Sequence, residues 1–155
     1  MNIDLVTKPL AAVLVILALS ACSSGQAPTP GQLDLPALRG QWVVVNYWAI
    51  WCKPCIQEIP ELNELDHLPQ VAVFGVNYDG TAGEQLRQQV ETLDVQFPTL
   101  AVDPAETLGV ERPMVLPTTF IINPQGQLQD TLIGPQTLQT LANATEQVLG
   151  AKPDG

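Results

Sequence analysis

A chain of 155 residues, 46% hydrophobic and 14% charged, is the size of one domain and apolar enough to bury a core of its own. Its formal net charge of -10, from 16 acidic against 6 basic side chains, excludes a nucleic-acid binder, because phosphate backbones are held by clustered Lys and Arg. The acidic residues are scattered rather than blocked, which marks a solvated surface.

The first 21 residues differ in kind from the rest. Lys8 precedes the apolar run Leu10 to Leu19, and the small residues Ser20 and Ala21 follow it. A bilayer span takes about 20 apolar residues, so this run is too short to cross. Its order is that of an export signal, with a charged start, a short apolar middle and small residues before the cut; Asp4 weakens the start. Leu19-Ser20-Ala21-Cys22 resembles a bacterial lipobox. That resemblance implies removal of residues 1–21 and a lipid on Cys22, with Ser23 favouring the outer over the inner membrane. Ordinary cleavage and an uncleaved anchor are the other readings of the stretch. With Cys22 withdrawn, one cysteine pair is left in a compartment where disulfides persist. Residues 22–32, CSSGQAPTPGQ, read as a flexible tether, 33–150 as the domain and 151–155 as a disordered tail.

Trp42 to Ala49 is an apolar, β-branched run suited to a strand buried on both faces. Residues 53 to about 66 carry Ile56, Ile59, Leu62 and Leu65 at three-residue steps, a helix stripe, with Pro60 inside it to kink the axis. Val71 to Asn77 is a second buried strand. Glu84 to Leu93 is a helix with Leu86, Val90 and Leu93 on one side. Thr99 to Val102 is a short strand, and Pro104 to Gly109 a short helix. Thr118 to Ile122 and Gln127 to Ile133 form an antiparallel pair about the turn Pro124-Gln125-Gly126. Leu138, Leu141, Ala142, Val148 and Leu149 mark a closing helix. The order predicts an α/β fold, a mixed central sheet with helices on both faces.

Trp51-Cys52-Lys53-Pro54-Cys55 falls at the junction of the first strand and its helix. Residues three apart at a helix start share a face, within reach of a disulfide. The helix N-terminus favours a thiolate on Cys52, and Pro54 suits the first turn. Cys52 is therefore expected as the exposed attacker and Cys55 as the buried resolving thiol. Trp48 and Trp51 flank the motif as packing and shielding, Trp51 also as a surface to stack on a partner.

The run Val45-Asn46-Tyr47-Trp48-Ala49-Ile50-Trp51-Cys52-Lys53-Pro54-Cys55, then Glu58 and Pro60, and later Leu116-Pro117-Thr118-Thr119-Phe120, resembles the thioredoxin superfamily. Within it the chain is most similar to the TlpA-like (TlpA/ResA-type) exported thiol-disulfide oxidoreductases, from about Leu35 to Leu149. The resemblance implies a thioredoxin-like fold, no cofactor and a cis bond before Pro117 opposite the cysteines. Base rates alone favour trans, since only about 5–6% of X–Pro bonds are cis. It also implies that Trp51, Leu116 and Pro117 bind substrate, Leu116 through its backbone in a strand-like dock. Glu58 would tune the thiols and relay a proton to Cys55, burial raising its pKa. Periodicity alone makes Glu58 a solvated helix carboxylate, like Glu61 and Glu64. Asn46 stands where thioredoxins proper carry a buried aspartate. Only Leu33 to Leu38 occupies the place of the longer leading hairpin, and Gly109 to Leu116 replaces the commoner glycine-rich approach to the proline; both leave partner specificity open.

The implied activity is reduction of disulfides in exported proteins, apocytochrome c included, by a monomer supplied with electrons from a membrane thiol carrier. Two rivals use the same fold. A copper or other metal-binding module would need more ligands than two cysteines, and the lone His67 reads as an exposed helix-end residue. A peroxidase would use a peroxidatic cysteine in a different local pattern.

Overall fold

Seven consecutive buried residues, Trp42–Trp48, form β1, and their position explains the unbroken apolar run: β1 is the middle strand of a five-stranded sheet. The computed structural model describes residues 31–149. The expected signal segment, Cys22, the tether up to residue 30 and the tail 151–155 lie outside the described residues. After β1 come α1 (Lys53–Asp66), β2 (Val71–Asn77), α2 (Gly83–Thr92), β3 (Thr99–Leu100) and α3 (Ala105–Leu108). Then follow β4 (Thr118–Ile122), β5 (Leu128–Ile133) and α4 (Leu138–Ala144). The sheet order is β3-β2-β1-β4-β5, with β1 parallel to β2 and antiparallel to β4, so the sheet is mixed as expected.

Side chains alternate across a strand. Val44 of β1 packs with Ile59, Leu62 and Leu65 of α1, Leu141 of α4 and Val90 of α2. Val43, Val45 and Tyr47 face the other way, onto Leu33, Leu100, Phe120 and Leu108 of α3. Each large side chain buried this way stabilises by about 1.5–3 kcal/mol, so both sheet faces contribute. Helices do cover both faces, but unequally. Among the described residues the second face carries only the single turn of α3 and the segment 33–38, which forms turns in place of a hairpin.

Two boundaries depart from expectation. β3 stops at Leu100, and Val102 is exposed. The closing helix was expected to include Val148 and Leu149, yet α4 ends at Ala144 and Val148 is 92% exposed. The stop is local. The Thr145 hydroxyl donates back to the carbonyls of Leu141 and Ala142, and Glu146 turns to φ 55°, which no helix continues. At the other end, Gly31 lies against the residue that follows β3. The Gly31 carbonyl accepts from Ala101 N–H at 2.9 Å, and a Cβ at Gly31 would meet Ala101 Cβ at 2.7 Å.

Gly75 of β2 serves the site directly. A Cβ there would lie 2.7 Å from Trp48 Nε1 and 3.0 Å from the Phe97 ring. Only glycine leaves room for the Trp48 indole, which is fully buried and packs beneath the cysteines.

Candidate active site

Cys52 is the N-cap of α1, in extended conformation at φ -85° and ψ 93°, and its Sγ accepts from Cys55 N–H at 3.3 Å. Pro54 occupies the first turn, where a missing N–H costs nothing. The helix start therefore folds the two cysteines onto one face, with Cα atoms 5.3 Å apart, and they are joined as a disulfide. Trp48 and Ala49 pack with the pair from below, and Tyr78, Leu86 and Leu116 close around it. Cys52 was expected to be exposed; it is 4% exposed, against 1% for Cys55. Both cysteines of the oxidised pair are thus covered, Cys52 slightly less than Cys55.

The two tryptophans divide the roles foreseen for them. Trp48 packs and shields. Trp51 stands at the rim, 62% exposed, and its indole N–H donates to Asp79 Oδ2 at 2.9 Å, on the loop after β2. The Leu116–Pro117 bond is cis, and Pro117 is buried. Its carbonyl accepts from Gly134 N–H at 2.9 Å. Among the described residues neither the N–H nor the carbonyl of Leu116 takes a backbone hydrogen bond, so both remain for an incoming strand. Met114, Val115 and Ile133 add exposed apolar surface beside it.

Glu58 lies one turn beyond Cys55 on the same helix, and only 1% of it is exposed, so periodicity alone misjudged it. Asn46 Nδ2 donates to Oε1 at 2.6 Å, and the Gln136 N–H donates to Oε2 at 2.8 Å. Burial pushes the carboxyl up to about 7, against the pull of the Gln136 and Asn46 hydrogen bonds. Asn46 Nδ2 also donates to Thr119 Oγ1 at 2.9 Å, while its Oδ1 has no partner among the described residues. Glu64 is exposed as expected. Glu61 is not simply solvated: its Oε2 accepts from Leu138 N–H at 2.7 Å, at the positive end of α4.

Several groups around the pair were given no role by sequence. The Thr119 hydroxyl meets Asn46 and the Gln136 backbone N–H meets Glu58 across sequence gaps of 73 and 78 residues, so no local pattern announces these contacts. Arg112 is another. Its Nε donates to Asp103 Oδ2 at 2.7 Å, an Nη donates to the Tyr78 carbonyl, and the guanidinium lies 4.0 Å from the Tyr78 ring centroid. Asp103 Oδ1 in turn accepts from the Tyr47 hydroxyl at 2.6 Å and from Ala105 N–H at 3.0 Å. Burial, and then the Asp103 carboxylate, hold the Tyr47 phenol well above its ordinary range. His67 caps the C-terminal end of α1 and is exposed; among the described residues no three His, Cys, Asp or Glu side chains cluster to hold a metal. No helix among them is long and apolar enough to cross a membrane.

Residues 23–131 match the AhpC/TSA family. The chain is 35% identical over 108 residues to the thioredoxin-like protein YneN of Bacillus subtilis, covering 67% of this chain and 63% of YneN. It is 29% identical over 121 residues to the thiol-disulfide oxidoreductase ResA of Bacillus cereus, covering 76% of this chain and 69% of ResA. The chain thus spans less than two thirds of YneN and slightly more of ResA. Among solved structures it is similar to StoA from Bacillus subtilis, at 25% identity and a TM-score of 0.56, covering 69% of this chain and 84% of StoA. The fold is thioredoxin-like.

Proposed function

We propose that this chain, which belongs to the AhpC/TSA family, is a thiol-disulfide oxidoreductase that reduces disulfides of exported proteins from a tether on the cell-envelope membrane. One observation carries the chemistry: a Cys52–Cys55 disulfide at a helix N-terminus, with the cis Leu116–Pro117 segment closing over it. The relatives named as thiol-disulfide oxidoreductases support the same reading.

The reaction starts from the reduced pair. The Cys52 thiolate, favoured by the α1 N-terminus, attacks one sulfur of a substrate disulfide; a mixed disulfide forms and the other substrate sulfur leaves as a thiolate. The Cys55 thiol then loses its proton to the Glu58 carboxylate, and the Cys55 thiolate attacks Cys52 Sγ. The second substrate thiolate departs, leaving the substrate reduced by two electrons and Cys52–Cys55 oxidised. A dithiol donor returns the pair to its starting state by the reverse exchange, and Glu58 returns its proton to solvent. A carboxyl poised near 7 suits both halves, since it accepts and releases a proton at ambient pH.

The expected result is catalytic reduction of insulin disulfides with a small dithiol as electron source. A rate no greater than that of the dithiol alone would remove the proposal. In the cell, the electrons would come from a membrane thiol carrier, and apocytochrome c is among the substrates the reading admits. The tether rests on the lipobox-like Leu19-Ser20-Ala21-Cys22, with the outer membrane as the destination. Cys22→Ser is expected to shift the protein from the membrane fraction to the soluble or unprocessed pool and to abolish incorporation of labelled palmitate. Label retained by that variant would rule out Cys22 as the anchor.

A further inference from the structure

Two grooves share a wall, one reaching Leu86 beside the cysteine cluster and the other Val115 next to Leu116. One, of about 700 Å³, lies between the loop after β2 and α3, and Leu86 and Asp103 line it. The other, of about 370 Å³, follows the approach to Pro117 and is lined by Met114, Val115, Thr118 and Ile133. Arg112 lines both.

Its contacts make that wall a clasp. On one side the guanidinium holds Asp103, which is itself fixed by Tyr47 from the central strand and by Ala105 N–H. On the other it takes the Tyr78 carbonyl and covers the Tyr78 ring. Tyr78 packs against the cluster of Trp48, Ala49 and the two cysteines, and the next residue, Asp79, holds the Trp51 indole. Arg112 itself belongs to the segment that delivers Leu116 and Pro117 to the sulfurs. One planar fork thus ties together the loop after β2, the turn before α3 and the approach to Pro117. A carboxylate, a carbonyl and an aromatic face are met at once, a combination suited to arginine and not to lysine, whose ammonium is a single point charge.

We propose that Arg112 is a specificity-determining positioning residue, setting the gap between the Trp51–Asp79 rim and the Met114–Val115 rim so that extended polypeptides dock in preference to small disulfides. The substrate class follows from the smaller groove. An extended segment pairing with the free backbone of Leu116 would lay an apolar side chain beside its disulfide onto Met114, Val115 and Ile133, which are 93%, 55% and 67% exposed. Glutathione disulfide carries no apolar side chain to lay on that surface. The inference rests on the oxidoreductase reading above.

The test compares insulin with oxidised glutathione as substrates of the full chain and its Arg112→Gln and Arg112→Lys variants, with thermal unfolding measured alongside. For Arg112→Gln the KM for insulin is expected to rise about tenfold with kcat changed less than about twofold, so that the insulin-to-glutathione ratio of kcat/KM falls about tenfold. Arg112→Lys is expected to fall between, because it keeps the charge and loses the fork. A parallel loss on both substrates, or an unmoved ratio, overturns the inference and leaves the oxidoreductase reading intact. A wild-type chain that reduces neither substrate removes both.

Discussion

Cys52→Ser is expected to bring insulin reduction to background, a loss of roughly a hundredfold or more, while Cys55→Ala stops turnover and accumulates substrate proteins bound through Cys52. The asymmetry follows from placement. Both sulfurs sit at the start of α1, but Cys52 is the N-cap and the more accessible, whereas Cys55 lies one turn inside and almost wholly covered. Of the two, Cys52 at the helix cap is the one expected to meet a substrate sulfur first. Without Cys55 nothing cleaves the mixed disulfide from within, so the adduct persists until an outside thiol arrives. Non-reducing gels of cells carrying each variant, followed by reduction, separate the cases. Adducts on Cys52→Ala and none on Cys55→Ala would exchange the two roles.

The second large effect concerns pH. The folded Glu58 carboxyl titrates at about 7 instead of its ordinary 4.5, chiefly because it is buried. Between those values the folded chain keeps a proton that the unfolded chain has given up, so stability falls as pH rises through the window and the full cost is present above it. At about 1.4 kcal/mol per pKa unit, that cost is of the order of 3 kcal/mol. Glu58→Gln removes the titration. The oxidised variant should show a flat unfolding free energy from about pH 5 to 8 in denaturant titrations, and exceed the wild type at the alkaline end. The glutamine is accommodated by turning the Asn46 amide: the unpartnered Oδ1 then accepts from the new side-chain N–H, and the Thr119 hydroxyl, which accepts from Nδ2 in the wild type, donates to that oxygen instead. Turnover should fall in the same variant, since Cys55 loses its proton acceptor. An unchanged slope of stability against pH would mean that Glu58 does not titrate in this range.

What could be read from the chain alone was what local pattern encodes. β1, its apolar run unbroken because both sheet faces are covered, and α1, with its cysteine cap and early proline, lie within a residue of where periodicity puts them. The burial of Glu58 was beyond that reach. A carboxylate on a helix reads as solvated, and what covers this one includes the turn before α4, 78 residues further on. Glu61 was misjudged for the same reason, its partner Leu138 N–H lying 77 residues away. The end of α4 failed differently: Val148 and Leu149 continue an apolar stripe, but Thr145 spends its hydroxyl on the previous turn and the chain leaves the helix. Arg112 carried no signal, because Tyr78 and Asp103 come together with it only once β2 and β3 are aligned.

The short connection from Gly134 to Leu138 touches the chemistry from two directions. Gly134 N–H binds the carbonyl of the proline above the sulfurs, whereas Gln136 and Leu138 N–H bind the carboxylates of Glu58 and Glu61 behind them. Gln136 Nε2 closes the span by donating to the Gly134 carbonyl at 2.8 Å. Five residues therefore act as a crossbar. The carboxylate behind the sulfurs and the docking segment beside them are thus braced by one and the same short stretch of chain.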